Sequence, residues 1–331
     1  MPDPRHSRLK RILGAAASLV IAGLAAWVLY RTFQRINVAD VIANVRAMPV
    51  ERLLLAAACA AGAFATLAAF EVAAVRYVKH CIGRAKPALT ALIAFPLGHA
   101  LGQTVLSGSA LRYRMYAPAG FSATEVGATV LLVSMPYALA FGLLIDLALV
   151  FAADRLEAIF RVPSHWLVVL GCVGLAKDLA YVVFVHRRKA PIRLGGWAVN
   201  LPTPRFTWLQ IAVGLIDVCL IASILYLLLP ESANLAFLPF VAVYLSSVLV
   251  GVVSHVPAGL GVLESMLLLL LPHVPPEELL ASVLLYRVIY EVLPLLVAVS
   301  LWGLYELLAR DGARLRLLRP GASAERTRPL P

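Results

Sequence analysis

Charged side chains lie inside or beside apolar stretches that are long enough to cross a lipid bilayer. Ionisable residues are rare at membrane depth because their charge is costly there, so each one predicts a functional site with a partner. We pair Arg112 with Glu71 and Arg287 with Glu264, and these four, together with Arg114, are the predicted substrate-binding residues. Arginine suits a lipid phosphate because it binds phosphate in a bidentate way. Stabilisation of the helix bundle is the alternative role for the same charges.

Three more acids, Asp146, Asp217 and Glu291, lie within apolar stretches, and two histidines, His99 and His255, flank interruptions of such stretches. Either histidine could titrate in a proton-coupled cycle, or could instead bond to backbone groups that the interruption frees. Neither belongs to a cluster with metal-ligand spacing. No catalytic residue, cofactor or metal site is predicted.

The stretch Ser254–Glu264 interrupts a long apolar run. Pro257 removes a backbone donor, and Gly259 and Gly261 weaken the helix, which predicts two half-helices joined by non-helical backbone. Such backbone at membrane depth survives only where protein or a water-filled cavity satisfies it. Gly108 is predicted as a backbone break in a second interrupted run. A simple proline and glycine kink is the alternative.

Composition places the chain among polytopic membrane proteins. Of its 331 residues, 61% are hydrophobic and 14% are charged, against about 25% charged in soluble domains. The net charge of +11 is concentrated in short loops between apolar runs, where it sets orientation and attracts anionic lipids. Nucleic acid is therefore not a predicted partner. The cysteines are far apart and lack metal-ligand or redox spacing.

About six full crossings and two re-entrant or broken segments account for the apolar runs. The crossings are predicted at residues 12–30, 53–75, 126–151, 166–185, 208–229 and 281–308, and the re-entrant segments at 88–106 and 235–271. The N-terminus at 1–11, the loops at 76–87 and 186–205 and the tail at 309–331 are basic, which predicts that both termini are cytoplasmic. The two re-entrant segments must then enter from opposite sides. The tail is also predicted to be disordered.

An internal repeat fits this arrangement. Glu125–Tyr137 and Glu278–Tyr290 share the pattern E-x-x-A-x-V-L-L-x-x-x-x-Y. The repeat halves, roughly 53–151 and 208–308 within a membrane domain at 12–308, run in opposite directions. Inverted repeats with interrupted segments at corresponding positions are typical of transporters. The predicted fold class is an all-α polytopic membrane protein with an inverted internal repeat.

Four stretches, considered together, resemble a known family. Phe70–Tyr77, Ser107–Tyr116, Ser254–Glu264 and Tyr286–Leu296 are similar to motifs in the transmembrane region of the lysylphosphatidylglycerol synthase/flippase family, the multiple peptide resistance factor type. The resemblance covers nearly the whole chain. Glu71 stands where that family usually has aspartate, and Ala258 where it often has glycine.

The resemblance implies a flippase-like bundle that moves a phospholipid between leaflets. Full-length members of that family add a soluble aminoacyl-transferase domain, for which we expect no room in this chain. We therefore expect a stand-alone transporter rather than an enzyme.

The leading hypothesis is a lipid translocase of the bacterial cytoplasmic, or inner, membrane. Its predicted partners are membrane lipids, anionic or aminoacylated phospholipids above all, with a separate lipid-modifying enzyme as a further candidate. A non-transporting scaffold for a lipid-modifying or glycosyltransferase enzyme, an ion-coupled solute transporter and an intramembrane enzyme are the alternatives. The oligomeric state, the lipid and the energy source are not predicted.

Overall fold

The structure of the chain is a computed structural model that describes residues 38–78, 82–100, 104–188, 192–194, 197–199 and 202–317. This part is almost entirely helical, which confirms the all-α polytopic fold class. The helices up to the middle of the chain are α1 Val38–Ala47, α2 Val50–Val78, α3 Ala85–Ala100, α4 Thr104–Tyr116, α5 Ala123–Phe151, α6 Ala153–Phe160 and α7 Ser164–Arg187.

The second part of the chain begins after a short antiparallel hairpin of two strands, β1 Ile192–Leu194 and β2 Trp197–Val199. Its helices are α8 Pro204–Leu228, α9 Phe237–Ser254, α10 Val262–Leu270, α11 Pro276–Arg287 and α12 Leu293–Leu317. Short 3-10 turns lie at Ala117–Ala119, Glu231–Ala233 and Pro257–Gly259, and a π-helical segment, Val288–Val292, joins α11 to α12.

Six helices of the described part are long and apolar enough to cross a membrane: α2, α5, α7, α8, α9 and the continuous unit Pro276–Leu307. Five of these coincide with predicted crossings. The predicted crossing at 12–30 and the N-terminal segment before it lie outside the described residues. The sixth helix is α9, the first half of the segment predicted as broken, and its 18 residues rise about 27 Å at about 1.5 Å per residue.

Helices α9 and α10 form a hairpin, here called the C-terminal hairpin. The two helices pack against each other, and the chain returns to the level at which the hairpin began. His273, just after α10, lies 3.2 Å through Nε2 from the carbonyl oxygen of Ala233, just before α9. Ser232 also donates to Glu278 at 2.8 Å. The segment therefore enters and leaves at one face of the bundle, as predicted for a re-entrant segment.

Helices α3 and α4 form the N-terminal hairpin, whose connection at residues 101–103 lies outside the described part. At 16 and 13 residues, both helices are shorter than the roughly 20 residues that a full crossing needs. The side chain of Tyr116, the last residue of α4, lies beside that of Thr90 in the first half of α3. This hairpin also returns to the face from which it starts.

The two hairpins enter from opposite faces. At one face the backbone N–H of Thr203 donates to the Tyr77 hydroxyl at 3.1 Å, which joins the end of α2 to the start of α8, and the N-terminal hairpin begins here. At the other face Arg52 donates to the carbonyl oxygen of Leu229 at 3.2 Å, and the C-terminal hairpin begins here. We name the first the basic face because of the residues at it: Arg76, Arg84, Lys86, Arg187, Arg188 and Arg205.

Small residues let the long helices approach closely. A Cβ on Gly214 in α8 would lie 2.1 Å from the carbonyl oxygen of Pro136 in α5, and one on Gly174 in α7 would lie 2.0 Å from the carboxylate of Asp146. Close packing at small residues is the usual way that membrane helices associate. This close packing holds α5, α7 and α8 together, and we call these three helices the frame.

The C-terminal end differs from the sequence prediction. Helix α12 continues to Leu317 and so extends into the tail that was predicted to be disordered. Alanine, leucine and arginine, which favour helix, make up most of residues 307–317. The remainder of the tail lies outside the described residues.

Candidate functional site

A buried ion pair joins α2 to α4. Arg112 donates from Nε to Glu71 Oε1 at 2.9 Å and from Nη2 to Oε2 at 2.8 Å. The Tyr116 hydroxyl donates to Oε1 at 2.8 Å. Glu71 is fully buried and Arg112 is 5% exposed. The predicted pairing is therefore present, but its charges cancel within the protein, at a place that is closed to solvent.

A second group of charges joins the C-terminal hairpin to α11. Arg287 contacts Glu264, at the start of α10, through Nε and through Nη2 at 3.0 Å, and contacts Glu291 through Nη1 at 2.8 Å. The predicted pair of Arg287 with Glu264 is thus also present. His99, in the last turn of α3, lies 3.9 Å through Nε2 from Glu291 Oε1. We call Glu264, Arg287, Glu291 and His99 the central cluster.

The C-terminal hairpin breaks where the sequence predicts. Helix α9 ends at Ser254, and Pro257 begins a 3-10 turn, because proline cannot donate a backbone hydrogen bond and its ring clashes with the preceding turn of a helix. Gly259 and Gly261 have φ of +58° and +79°, which glycine adopts without strain. Ala258, with φ of +51°, does so at a cost of about 1–2 kcal/mol.

Arg287 satisfies the backbone that this break frees. Its Nη1 and Nη2 groups donate to the carbonyl oxygens of Ala258 at 3.1 Å and Gly259 at 3.2 Å. Together with Glu264 and Glu291, these oxygens give every N–H of the guanidinium an acceptor. Non-helical backbone at membrane depth requires such protein partners, so Arg287 stabilises the tip of the C-terminal hairpin.

The end of α3, here called the tip of the N-terminal hairpin, and the turn at Pro257–Gly259, the tip of the C-terminal hairpin, meet at the central cluster. Helix α3 contacts the 3-10 turn at Pro257–Gly259. The cluster is more accessible than the buried pair, since the His99 side chain is 39% exposed and that of Glu291 is 15% exposed. With one arginine and two glutamates it carries a formal charge of −1 when His99 is neutral and 0 when His99 is protonated.

The two predicted titrating histidines have different surroundings. His99 faces the central cluster and stacks on Phe95 with ring centroids 6.0 Å apart. His255 is exposed, and its Nδ1 lies 2.8 Å from the carbonyl oxygen of Val253, which is the alternative that the sequence left open. His99 is therefore the histidine that lies at the central cluster.

Arg114 lies away from both charge clusters, and Gly108 does not have the role that the sequence predicts. Arg114 donates to Glu306 at 2.7 Å, lies over the Trp302 ring and is 61% exposed in its side chain, so it joins neither cluster. The prediction of a backbone break at Gly108 is wrong, because Gly108 lies inside α4. Its missing side chain instead leaves space for the Arg112 guanidinium, which would lie 3.1 Å from an added Cβ.

Sequence reasoning missed one site residue and gave another too little weight. Tyr116 donates to the buried pair, and nothing in its sequence context marks that role. Glu291 was grouped with the less informative acids, although its spacing of four residues from Arg287 is the spacing at which helical side chains pair. The substrate-binding role predicted for Arg112, Glu71 and Arg114 stays a prediction.

Comparison with known proteins places the chain in a family. It is 30% identical over 275 residues, 80% of this chain and 84% of the relative, to the uncharacterized protein slr0712 of Synechocystis sp. (strain ATCC 27184 / PCC 6803 / Kazusa). The chain belongs to the slr0712 family. It is also 29% identical over 249 residues, 72% of this chain and 74% of the relative, to the inner membrane protein YbhN of Escherichia coli (strain K12). No family model matches.

The similarity to YbhN and the apolar helices indicate the same class of protein. Six helices of the described part could cross a bilayer, and one relative is named an inner membrane protein. The chain is therefore a multi-pass inner membrane protein.

Proposed function

We propose that the protein is a lipid translocase that moves a phospholipid between the leaflets of the inner membrane. The observation that carries the proposal is the meeting of two hairpins, which enter from opposite faces, at a charged cluster inside an apolar bundle. Discontinuous helices that present charges between inverted repeats are how many transporters build a substrate site. The resemblance of four sequence stretches to the lysylphosphatidylglycerol synthase/flippase family supports the same function.

The charge of the central cluster favours a headgroup that carries an amine. Two carboxylates share one guanidinium, so a cation that binds at Glu291 completes the charge balance when His99 is neutral. The N–H groups of Arg287 all have acceptors in the protein, so a lipid phosphate must displace Glu264 or Glu291 to reach them. Substrate binding would then loosen the contact of Arg287 with the tip of the C-terminal hairpin, which couples binding to movement of that tip.

The buried pair has a different role in this proposal. Glu71 and Arg112 are closed to solvent and bonded to each other and to Tyr116. They hold α4 of the N-terminal hairpin against α2, which packs against α8 of the frame. The N-terminal hairpin is thus anchored at its basic-face end, while its tip reaches the central cluster.

The orientation of the protein follows from its charge. Lysine and arginine are concentrated at the basic face, and such an excess marks the cytoplasmic side. The proposal therefore places the basic face and both termini in the cytoplasm. In this proposal the protein transports membrane lipid and catalyses no chemical step. A separate lipid-modifying enzyme is a candidate partner.

Lipid binding tests the proposal. The purified protein, analysed by native mass spectrometry after incubation with phosphatidylglycerol, lysylphosphatidylglycerol and phosphatidylethanolamine, is expected to retain the amine-bearing lipids preferentially. Glu291→Gln is expected to weaken that retention by about tenfold, because a lost charge-assisted hydrogen bond is worth about 1.5–3 kcal/mol. Glu231→Gln is the control, since Glu231 is exposed at the far face, which is the face opposite the basic face. If Glu291→Gln retains every lipid as well as Glu231→Gln does, the assignment of Glu291 to the lipid-binding site is wrong.

A further inference from the structure

A carboxyl group lies where the two copies of the internal repeat converge. Tyr137 and Tyr290 occupy the last position of the repeated pattern, in α5 and in the π-helical segment. Both tyrosines interact electrostatically with Asp217 of α8. Thr66 of α2 contacts the same carboxyl. Asp217 therefore lies between the two repeat halves, where transporters built from inverted repeats place their ion and substrate sites.

The hydrogen bonds around Thr66 depend on whether Asp217 carries a proton. Thr66 Oγ1 lies 2.8 Å from the carbonyl oxygen of Ala63 and 2.8 Å from Asp217 Oδ1. A hydroxyl group has a single hydrogen to donate, and a carbonyl oxygen only accepts. Both contacts are separate, fully formed hydrogen bonds when Thr66 donates to Ala63 and a protonated Asp217 donates to Thr66. When Asp217 is ionised, the single hydroxyl hydrogen must be shared between the two acceptors, so each hydrogen bond is weaker.

No cation compensates a charge on Asp217 within the described ranges. Helices α2, α5, α7, α9 and α11 pack against α8. The groups that face Asp217 are Thr66 from α2, Tyr137 from α5 and Tyr290 from the π-helical segment, and among the described residues none that interacts with it is a lysine, arginine or histidine. An unpaired carboxylate away from water is costly. Glu71 and Glu264, by contrast, each bind an arginine.

The position also links Asp217 to the central cluster. Asp217 and Tyr137 are only partly buried. Tyr290, which faces Asp217, is followed directly by Glu291, which binds Arg287. Both lie in the π-helical segment, and such segments are frequent at functional sites. A charge that appears on Asp217 thus acts on the segment that holds the central cluster together.

We propose that Asp217 is the proton-binding site that couples lipid movement to the transmembrane proton gradient. The neutral carboxyl donates its hydrogen to Thr66 Oγ1. On release the proton passes to water, and the carboxylate that remains accepts a hydrogen bond from Thr66 and interacts with Tyr137 and Tyr290. The coupling rests on the proposed translocase function, whereas the proton site itself does not.

Infrared difference spectroscopy of the protein in lipid vesicles tests the proton site without any transport. At neutral pH the wild type is expected to show the carbonyl stretch of a protonated carboxyl, and Asp217→Asn is expected to lose it. Asp146→Asn is the control, because Asp146 contacts the ammonium of Lys177 at 3.4 Å. Thr66→Val, which removes the acceptor without changing the volume, is expected to shift the band and serves if Asp217→Asn fails to fold. A band that both substitutions leave unchanged would overturn the proposal.

A transport measurement tests the coupling. In proteoliposomes that contain labelled amine-bearing phospholipid, a pH gradient is expected to accelerate wild-type lipid movement by at least roughly fivefold, the lower range of ordinary coupling. Asp217→Asn is expected to lose this response. A response that survives in Asp217→Asn, or that follows a sodium gradient instead, would overturn the coupling. Absence of lipid movement in the wild type would contradict the translocase function, and the infrared result would still decide the proton site.

Discussion

Arg287→Met is expected to destabilise the protein by about 3–5 kcal/mol, the usual cost of removing one partner from a buried ion pair. The loss leaves Glu264 and Glu291 without their cation, and the carbonyl oxygens of Ala258 and Gly259 without donors. Each of these groups was satisfied by one guanidinium. The midpoint of thermal unfolding in detergent, followed by intrinsic fluorescence, measures the change.

Two further variants test whether the loss of stability is specific to the guanidinium of Arg287. Arg287→Lys keeps the charge but has one nitrogen in place of the planar fork, so it is expected to recover only part of the loss. Arg114→Met is the matched control, because Arg114 pairs with Glu306 in an exposed position and such pairs contribute less than about 1 kcal/mol. Equal stability of Arg287→Met and Arg114→Met would show that the hairpin tip does not depend on Arg287.

Arg112→Met is expected to cost about 3–5 kcal/mol as well, because it leaves the fully buried Glu71 carboxylate without its cation. Adding Glu71→Leu is expected to restore most of that stability, since replacing both members of a buried pair by apolar residues is often neutral or better. Tyr116 then loses Glu71 as its acceptor but remains beside the Thr90 hydroxyl. Chemical denaturation of the single and double variants in mixed micelles provides the comparison.

The double variant also separates the two roles that the sequence leaves open for this pair. If the pair only anchors α4 to α2, the restored protein is expected to move lipid at a rate close to that of the wild type. A double variant that is stable but inactive would instead assign Glu71 and Arg112 to the substrate path. A double variant as unstable as Arg112→Met would contradict the energetic argument.

Much of the fold could be predicted because few arrangements satisfy the chain in a membrane. Apolar length identified α2, α5, α7, α8 and the α11–α12 unit. The distribution of basic loops required two re-entrant segments from opposite sides, and the structure has them. Non-helical backbone around Pro257 followed from the chemistry of proline and glycine alone. Each of these arguments uses only local composition and the cost of unsatisfied backbone.

The pairing of charges was also predictable, because an arginine and a glutamate at membrane depth have few other partners. Arg112 with Glu71 and Arg287 with Glu264 follow from that constraint. Gly108 shows where prediction from sequence fails. A glycine in an apolar run is compatible with a helix break or with close packing, and only the position of the Arg112 side chain distinguishes the two. The contact between Glu291 and His99 depends on how two hairpins meet, which no local pattern encodes.

In the proposed function a lipid headgroup passes between the hairpin tips at the central cluster. The most direct test is the rate at which a labelled amine-bearing phospholipid changes leaflet in proteoliposomes, read from the fraction that an impermeant quencher reaches. Wild-type protein and the Glu278→Gln control, altered at the far face, are expected to accelerate this movement, and folded Glu264→Gln is expected to slow it by at least about tenfold. Lipid movement in Glu264→Gln that equals the wild type would contradict the claim.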